Sequence, residues 1–124
     1  MKFFKAKGSW NWVDENNVFL GYQIRGECCA FHGWYLTDSV PSERPDPEYD
    51  QPEFDWTPWR FDPSFEDRVD VRRGWFDQGN GAVFRILNGD QAKYLTIYNY
   101  HNGYYGSGFD FKVDGKPLRE GEYL

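Results

Sequence analysis

Sulfur and imidazole are scarce in this chain: two cysteines, one methionine and two histidines among 124 residues. The two cysteines are adjacent, at Cys28 and Cys29. Neighbouring strand residues point to opposite faces, and a bond between them strains the backbone. No structural disulfide is expected, and a reducing, cytoplasmic setting is the simpler context. No run approaches the ~20 apolar residues of a membrane helix. The apolar part of Met1–Lys7 is too short for a secretory signal, so no membrane association is expected. Also missing are a glycine-rich phosphate loop, G-x-S-x-G, H-E-x-x-H and any recognisable paired-carboxylate spacing. No cofactor is expected, and catalysis is not the leading expectation.

Helix formers do not gather into runs, whereas Phe, Trp and Tyr make up 21% of the residues at a mean hydropathy of −0.83. A core built from such a composition is aromatic rather than aliphatic, and aromatic residues favour strands. A chain of this length forms one domain that buries roughly two-thirds of its unfolded surface, with no need of a metal or disulfide. The expected fold class is all-β, an antiparallel meander forming a small sandwich or partly open barrel, with a long Pro-rich acidic loop.

The net charge of −6 is unevenly spread. Between Asp38 and Asp67 ten acids face two arginines, a local charge of −8 that leaves about +2 elsewhere. That balance disfavours the phosphate backbones of nucleic acids. It suits a basic protein partner, or serves solubility alone.

In chain order, Lys2–Lys5 reads as a short strand, Gly8-Ser9 as a turn, and Trp10–Val13 as a strand with both tryptophans on one face. Asp14–Asn17 is a polar turn. Val18, Leu20, Tyr22 and Ile24 then form a period-2 stripe on a return strand, with Phe19 facing away. Gly26–Thr37 is compatible with a loop, an irregular strand or a bulge. Ser39–Ser64 holds six of the seven prolines, which excludes a regular strand there. Tyr49, Phe54, Trp56, Trp59 and Phe61 pin this extended segment to the body, with partial disorder expected around Ser42–Gln51. From Arg68 onward strands alternate with turns at Asp77–Gly81, Asn88–Gln91, Asn102-Gly103 and Asp114-Gly115. The stretch Tyr94–Val113 is expected to form a hairpin around Asn102-Gly103, the strongest local signal for one.

Two patches could carry function. Glu27, Cys28, Cys29 and His32 could contribute to a soft metal site or a Cys–His nucleophile pair. Adjacent thiolates converge poorly on one ion, and only His101 is left as a further nitrogen ligand, so the plainer reading is two small thiols beside a polar histidine. The second patch, Tyr98, Tyr100, His101, Asn102, Tyr104 and Tyr105, reads either as a binding rim of rigid amphipathic rings or as cross-strand pairing that stiffens a hairpin. Trp34 lies beside the first patch and completes the candidate set. The six tryptophans also admit a carbohydrate-binding reading, while prolines break any calcium-loop spacing in the acidic segment.

The combination Glu27-Cys28-Cys29 and the later run Leu95-x-Ile97-Tyr98-Asn99-x-His101-Asn102-Gly103-Tyr104-Tyr105-Gly106-x-Gly108-Phe109 resemble a family of small phage and bacterial proteins of uncharacterised activity. The likeness covers about a third of the chain. It implies a phage or mobile-element origin and a link between the two patches, but no catalytic residue. The leading expectation is a non-catalytic, cytoplasmic protein-binding domain, in its sharpest form an inhibitor of a host nucleic-acid-handling or defence protein. The alternatives are a small-ligand or carbohydrate-binding module using exposed Tyr and Trp, and a metal-dependent or Cys-dependent enzyme using Cys28, Cys29, His32 and His101.

Overall fold

Alternating apolar side chains, broken every few residues by turn formers, commit a chain to strands with one face buried. A computed structural model describes residues 1–24, 30–41, 53–70, 78–101 and 107–124. Those residues form nine strands and no helix: β1 (Lys2–Ala6), β2 (Ser9–Val13), β3 (Val18–Gln23), β4 (Ala30–Thr37), β5 (Arg60–Asp70), β6 (Gln78–Asn88), β7 (Gln91–His101), β8 (Gly108–Val113) and β9 (Lys116–Tyr123). They make two antiparallel sheets, ordered β1-β2-β3-β8-β9 and β4-β7-β6-β5, with no barrel closure. The all-β sandwich expected from the sequence is the fold.

Local turn chemistry sets several connections. Lys7 and Gly8 both have positive φ between β1 and β2, as do Asp114 and Gly115 between β8 and β9. Two such residues match the right-handed twist of the flanking strands, so the hairpins close without splaying. The stripe Val18, Leu20 and Tyr22 is buried while Phe19 is only half-buried, and Trp10 and Trp12 lie together inside.

The expected Tyr94–Val113 hairpin is not formed. β7 is hydrogen-bonded to β4 on one side and β6 on the other, while β8 lies between β3 and β9 in the opposite sheet. Hairpin propensity at Asn-Gly is local. Here β4, from far upstream, occupies the edge of β7 that β8 would need, and both edges of each strand are satisfied elsewhere. Gly26–Thr37, left open by the sequence, contains a regular strand from Ala30 onward. A strand also begins at Arg60, inside the stretch where prolines were expected to exclude one. β5 is an edge strand, and its register shifts between Asp62 and Asp67. Pro63 sits in that irregularity, where no ladder donor is required of it.

Between the sheets lies an aromatic core. Trp12, Leu20, Tyr22, Phe109 and Phe111 of the first sheet meet Trp34, Phe84, Ile86, Leu95 and Ile97 of the second, joined by Trp56, Trp59 and Phe61. Burying each of these large side chains contributes about 1.5–3 kcal/mol. The described part of the Pro-rich segment, 53–59, is anchored as its aromatic residues suggested, whereas 42–52 lies outside the described residues.

Two polar devices hold that arm. The Met1 amino group donates to the carbonyls of Trp56 (2.8 Å), Thr57 (3.1 Å) and Trp59 (2.8 Å). Asp14, only 7% exposed, accepts at Oδ1 from the backbone N–H groups of Asn16 (3.0 Å) and Val18 (2.9 Å), and at Oδ2 from Phe61 N–H (2.8 Å). One carboxylate thus closes the β2–β3 turn and fastens the start of β5 to it. Asp14→Asn replaces one acceptor oxygen with an amide NH₂ aimed at a backbone donor, which strands a buried N–H. Urea unfolding is expected to show a loss of about 2–3 kcal/mol with an unchanged m-value; an unshifted midpoint would contradict this role.

Candidate functional site

Extended backbone sends successive side chains to opposite sides, and the arm uses this over four residues. Phe54 and Trp56 turn toward the core cluster, while Glu53 and Asp55 are exposed. β1 contributes Phe3, stacked on its cross-strand partner Trp12 at 4.8 Å, and β4 contributes Trp34. The rings are in direct contact: Trp34–Trp56 5.3 Å, Phe3–Trp34 5.8 Å, Phe3–Trp56 5.9 Å and Phe54–Trp56 4.7 Å between centroids. Above them opens a groove of about 630 Å³ lined by Phe3, Trp34, Glu53, Phe54, Asp55 and Trp56. This falls within the roughly 300–1,000 Å³ typical of ligand clefts.

The groove has an aromatic floor and a negative rim. Asp55 Oδ1 accepts from Thr57 N–H at 3.1 Å, and hydrogen bonds from Thr57 hold its carboxyl below the ordinary range, so it is charged at neutral pH. Among the described residues, no lysine, arginine or histidine lines the groove. Floor and rim together suit a cation with an apolar or flat body. They supply no nucleophile–base pair.

Of the sequence-predicted residues that the structure describes, Trp34 lines the groove, while His32 and Tyr98 are not among its lining residues. His32, on β4, shares a 2.5 Å hydrogen bond between Nε2 and Ser107 Oγ, and its ring packs edge-on to Tyr22 at 5.9 Å. Ser107 is 2% exposed. An oxygen so enclosed does not meet a substrate, and the pair joins one sheet to the other. The same seam contains Tyr22 Oη donating to the Tyr98 carbonyl (2.8 Å) and Asn99 Nδ2 donating to the Leu124 carbonyl (3.1 Å). Leu124 and Ser107 also exchange two backbone hydrogen bonds.

Tyr98 is 5% exposed and packs near Tyr35, with its ring lying across Gly33, where any Cβ would collide with it. Gly81 stands opposite it on the other neighbouring strand, so glycines flank the ring on both sides. The side chain is part of a packed sheet face with Tyr35, Thr96 and Val83. The backbone of Tyr100 pairs with Phe31 and that of His101 with Ala30, so β4 starts where β7 ends. Glu27, Cys28, Cys29, Asn102, Tyr104 and Tyr105 lie outside the described residues. Among the described residues, no three His, Cys, Asp or Glu side chains gather to hold a metal ion.

Phe3, Glu53, Phe54, Asp55 and Trp56 were not in the sequence-derived site. The signal for Glu53, Phe54, Asp55 and Trp56 is the alternation of acid and aromatic along the chain; nothing local marks Phe3.

Burial, with a smaller contribution from Tyr98, raises the Tyr22 hydroxyl well above its ordinary value near 10. The folded state therefore keeps a proton that the unfolded chain releases, so this stabilisation is complete below pH ~10 and is lost as pH rises further. Tyr22→Phe is expected to cost about 1 kcal/mol at neutral pH. It should also flatten the fall of the unfolding midpoint between about pH 9 and 11; an equally steep fall in the variant would contradict this assignment.

Compared with protein-family models, with curated proteins and with solved structures, the chain matches none.

Proposed function

We propose that this chain is a non-catalytic protein-binding domain that engages a basic partner through the groove formed by Phe3, Trp34, Phe54 and Trp56. The observation carrying this reading is the pairing of an aromatic floor with the exposed carboxylates Glu53 and Asp55 in one groove. Complementary charge steers encounter, and aromatic surface supplies contact area at low entropic cost. The acidic excess counted between Asp38 and Asp67 likewise favours a basic partner and disfavours nucleic-acid backbones.

The resemblance at Leu95–Phe109 gives the proposal its sharpest form. A small acidic protein of phage or mobile-element origin would occupy the basic surface of a host protein that handles nucleic acid. The adjacent thiols Cys28 and Cys29, unsuited to a structural disulfide, fit a cytoplasmic setting.

Titration with a short lysine- and arginine-rich peptide, followed by tryptophan fluorescence, tests the reading. Saturable binding is expected that weakens as salt is raised and drops about tenfold or more in the Glu53→Gln, Asp55→Asn double variant. Binding indifferent to both salt and the double variant would refute it. Saturation of the groove by a neutral sugar with no response to the peptide would favour the small-ligand alternative.

A further inference from the structure

Resting on that reading and naming what the groove recognises, we infer that it is a receptor for an arginine side chain of the partner. A guanidinium presents a flat, weakly hydrated face for stacking and a fork of in-plane N–H donors for carboxylates. An ammonium is a compact, strongly hydrated point charge without a flat face. The groove offers both things that only the guanidinium uses at once. Phe3 and Phe54 are half-buried, so part of each ring reaches solvent, and Glu53 and Asp55 alternate with Phe54 and Trp56 along four consecutive residues.

The same protein already holds an arginine by this combination a few residues further on. Arg85 Cζ lies 4.8 Å from the centre of the Phe65 ring while Nε donates to Asp62 Oδ2 at 2.8 Å, with Nη2 on the same oxygen. There, as in the groove, carboxylate and ring come from one short stretch of chain. A second guanidinium, that of Arg68, lies 5.1 Å above Phe109.

The Met1 ammonium is taken up by the carbonyls of Trp56, Thr57 and Trp59, and its charge also helps to keep Asp55 ionised. The ring contacts of 4.7–5.9 Å show a closed floor rather than an open cage. The rings meet edge-on or tilted, which leaves no cage for a spherical cation, whereas a planar group needs only one exposed ring face to stack on.

The test uses the full chain and three peptides identical except for a central arginine, lysine or citrulline. Binding is read from tryptophan fluorescence and from the indole N–H resonances of Trp34 and Trp56. The arginine peptide is expected to bind about tenfold tighter than the lysine peptide, with citrulline weaker than either. Phe54→Leu, which keeps apolar bulk but removes the ring, should abolish the preference for arginine over lysine while its melting transition stays cooperative. Glu53→Gln, an exposed change, should weaken both cationic peptides.

Equal affinity for arginine and lysine overturns the guanidinium inference and leaves the basic-partner reading standing. Citrulline binding as tight as arginine overturns it too, since stacking alone would then suffice. Failure of both cationic peptides to bind overturns the inference and the reading together.

Discussion

The structure depends on a single buried carboxylate. Without Asp14, the β2–β3 turn would lose the acceptor for two of its N–H groups, and β5 would enter its sheet with Phe61 N–H unmatched beside an aromatic core. A buried charge is tolerable only when its lone pairs are filled, and three backbone donors fill these. The turn it closes also meets the β8–β9 turn beside it, where Asp114 N–H donates to the Asn17 carbonyl. Arm, hairpin and last pair of strands therefore share one fixed point, and the groove inherits its shape from it because Trp56 lies on that arm.

A second set of polar contacts holds the sandwich where its two sheets meet. Tyr22 reaches the Tyr98 carbonyl, His32 reaches Ser107, and Asn99 reaches Leu124. The first joins a strand of one sheet to a strand of the other, and the other two join the second sheet to the residues that flank β8 and β9 of the first, so each specifies how the layers sit over one another, which apolar packing alone specifies weakly. The groove on the arm side is built the other way, from rings in contact with exposed carboxylates around them. Polar groups inside fix the architecture, and polar groups outside remain available to a partner.

Much of the architecture was legible residue by residue. The stripe Val18–Leu20–Tyr22, the tryptophan pair of β2 and the turns at Gly8 and Asp114-Gly115 follow from period and backbone preference, and all are local. What was not legible was pairing between distant strands. Asn102-Gly103 carries the pattern of a hairpin turn, but whether two strands pair depends on what else competes for their edges, and β4 takes the edge of β7. Proline at position 63 argued against a strand because the sequence does not reveal that β5 is an edge with an irregular register. The groove was hidden for a related reason: Phe3, Trp34 and Trp56 are brought together only by tertiary packing. Asp14 looked like ordinary turn polarity, and nothing near it in the chain announces Phe61.

The strand order has a consequence for how the molecule assembles. The first sheet is begun by residues 2–23 and completed only by residues 108–123, with the entire second sheet between them in the chain. Closing so long a loop must be met before β3 and β8 reward it, so pairing of this kind is slow. During synthesis the N-terminal hairpins would wait with β3 unpaired on one edge until the last strands emerge. At the other edge, the lysines at positions 2, 5 and 7, on and just beyond β1, are the kind of charge that keeps an open edge from pairing with the wrong chain.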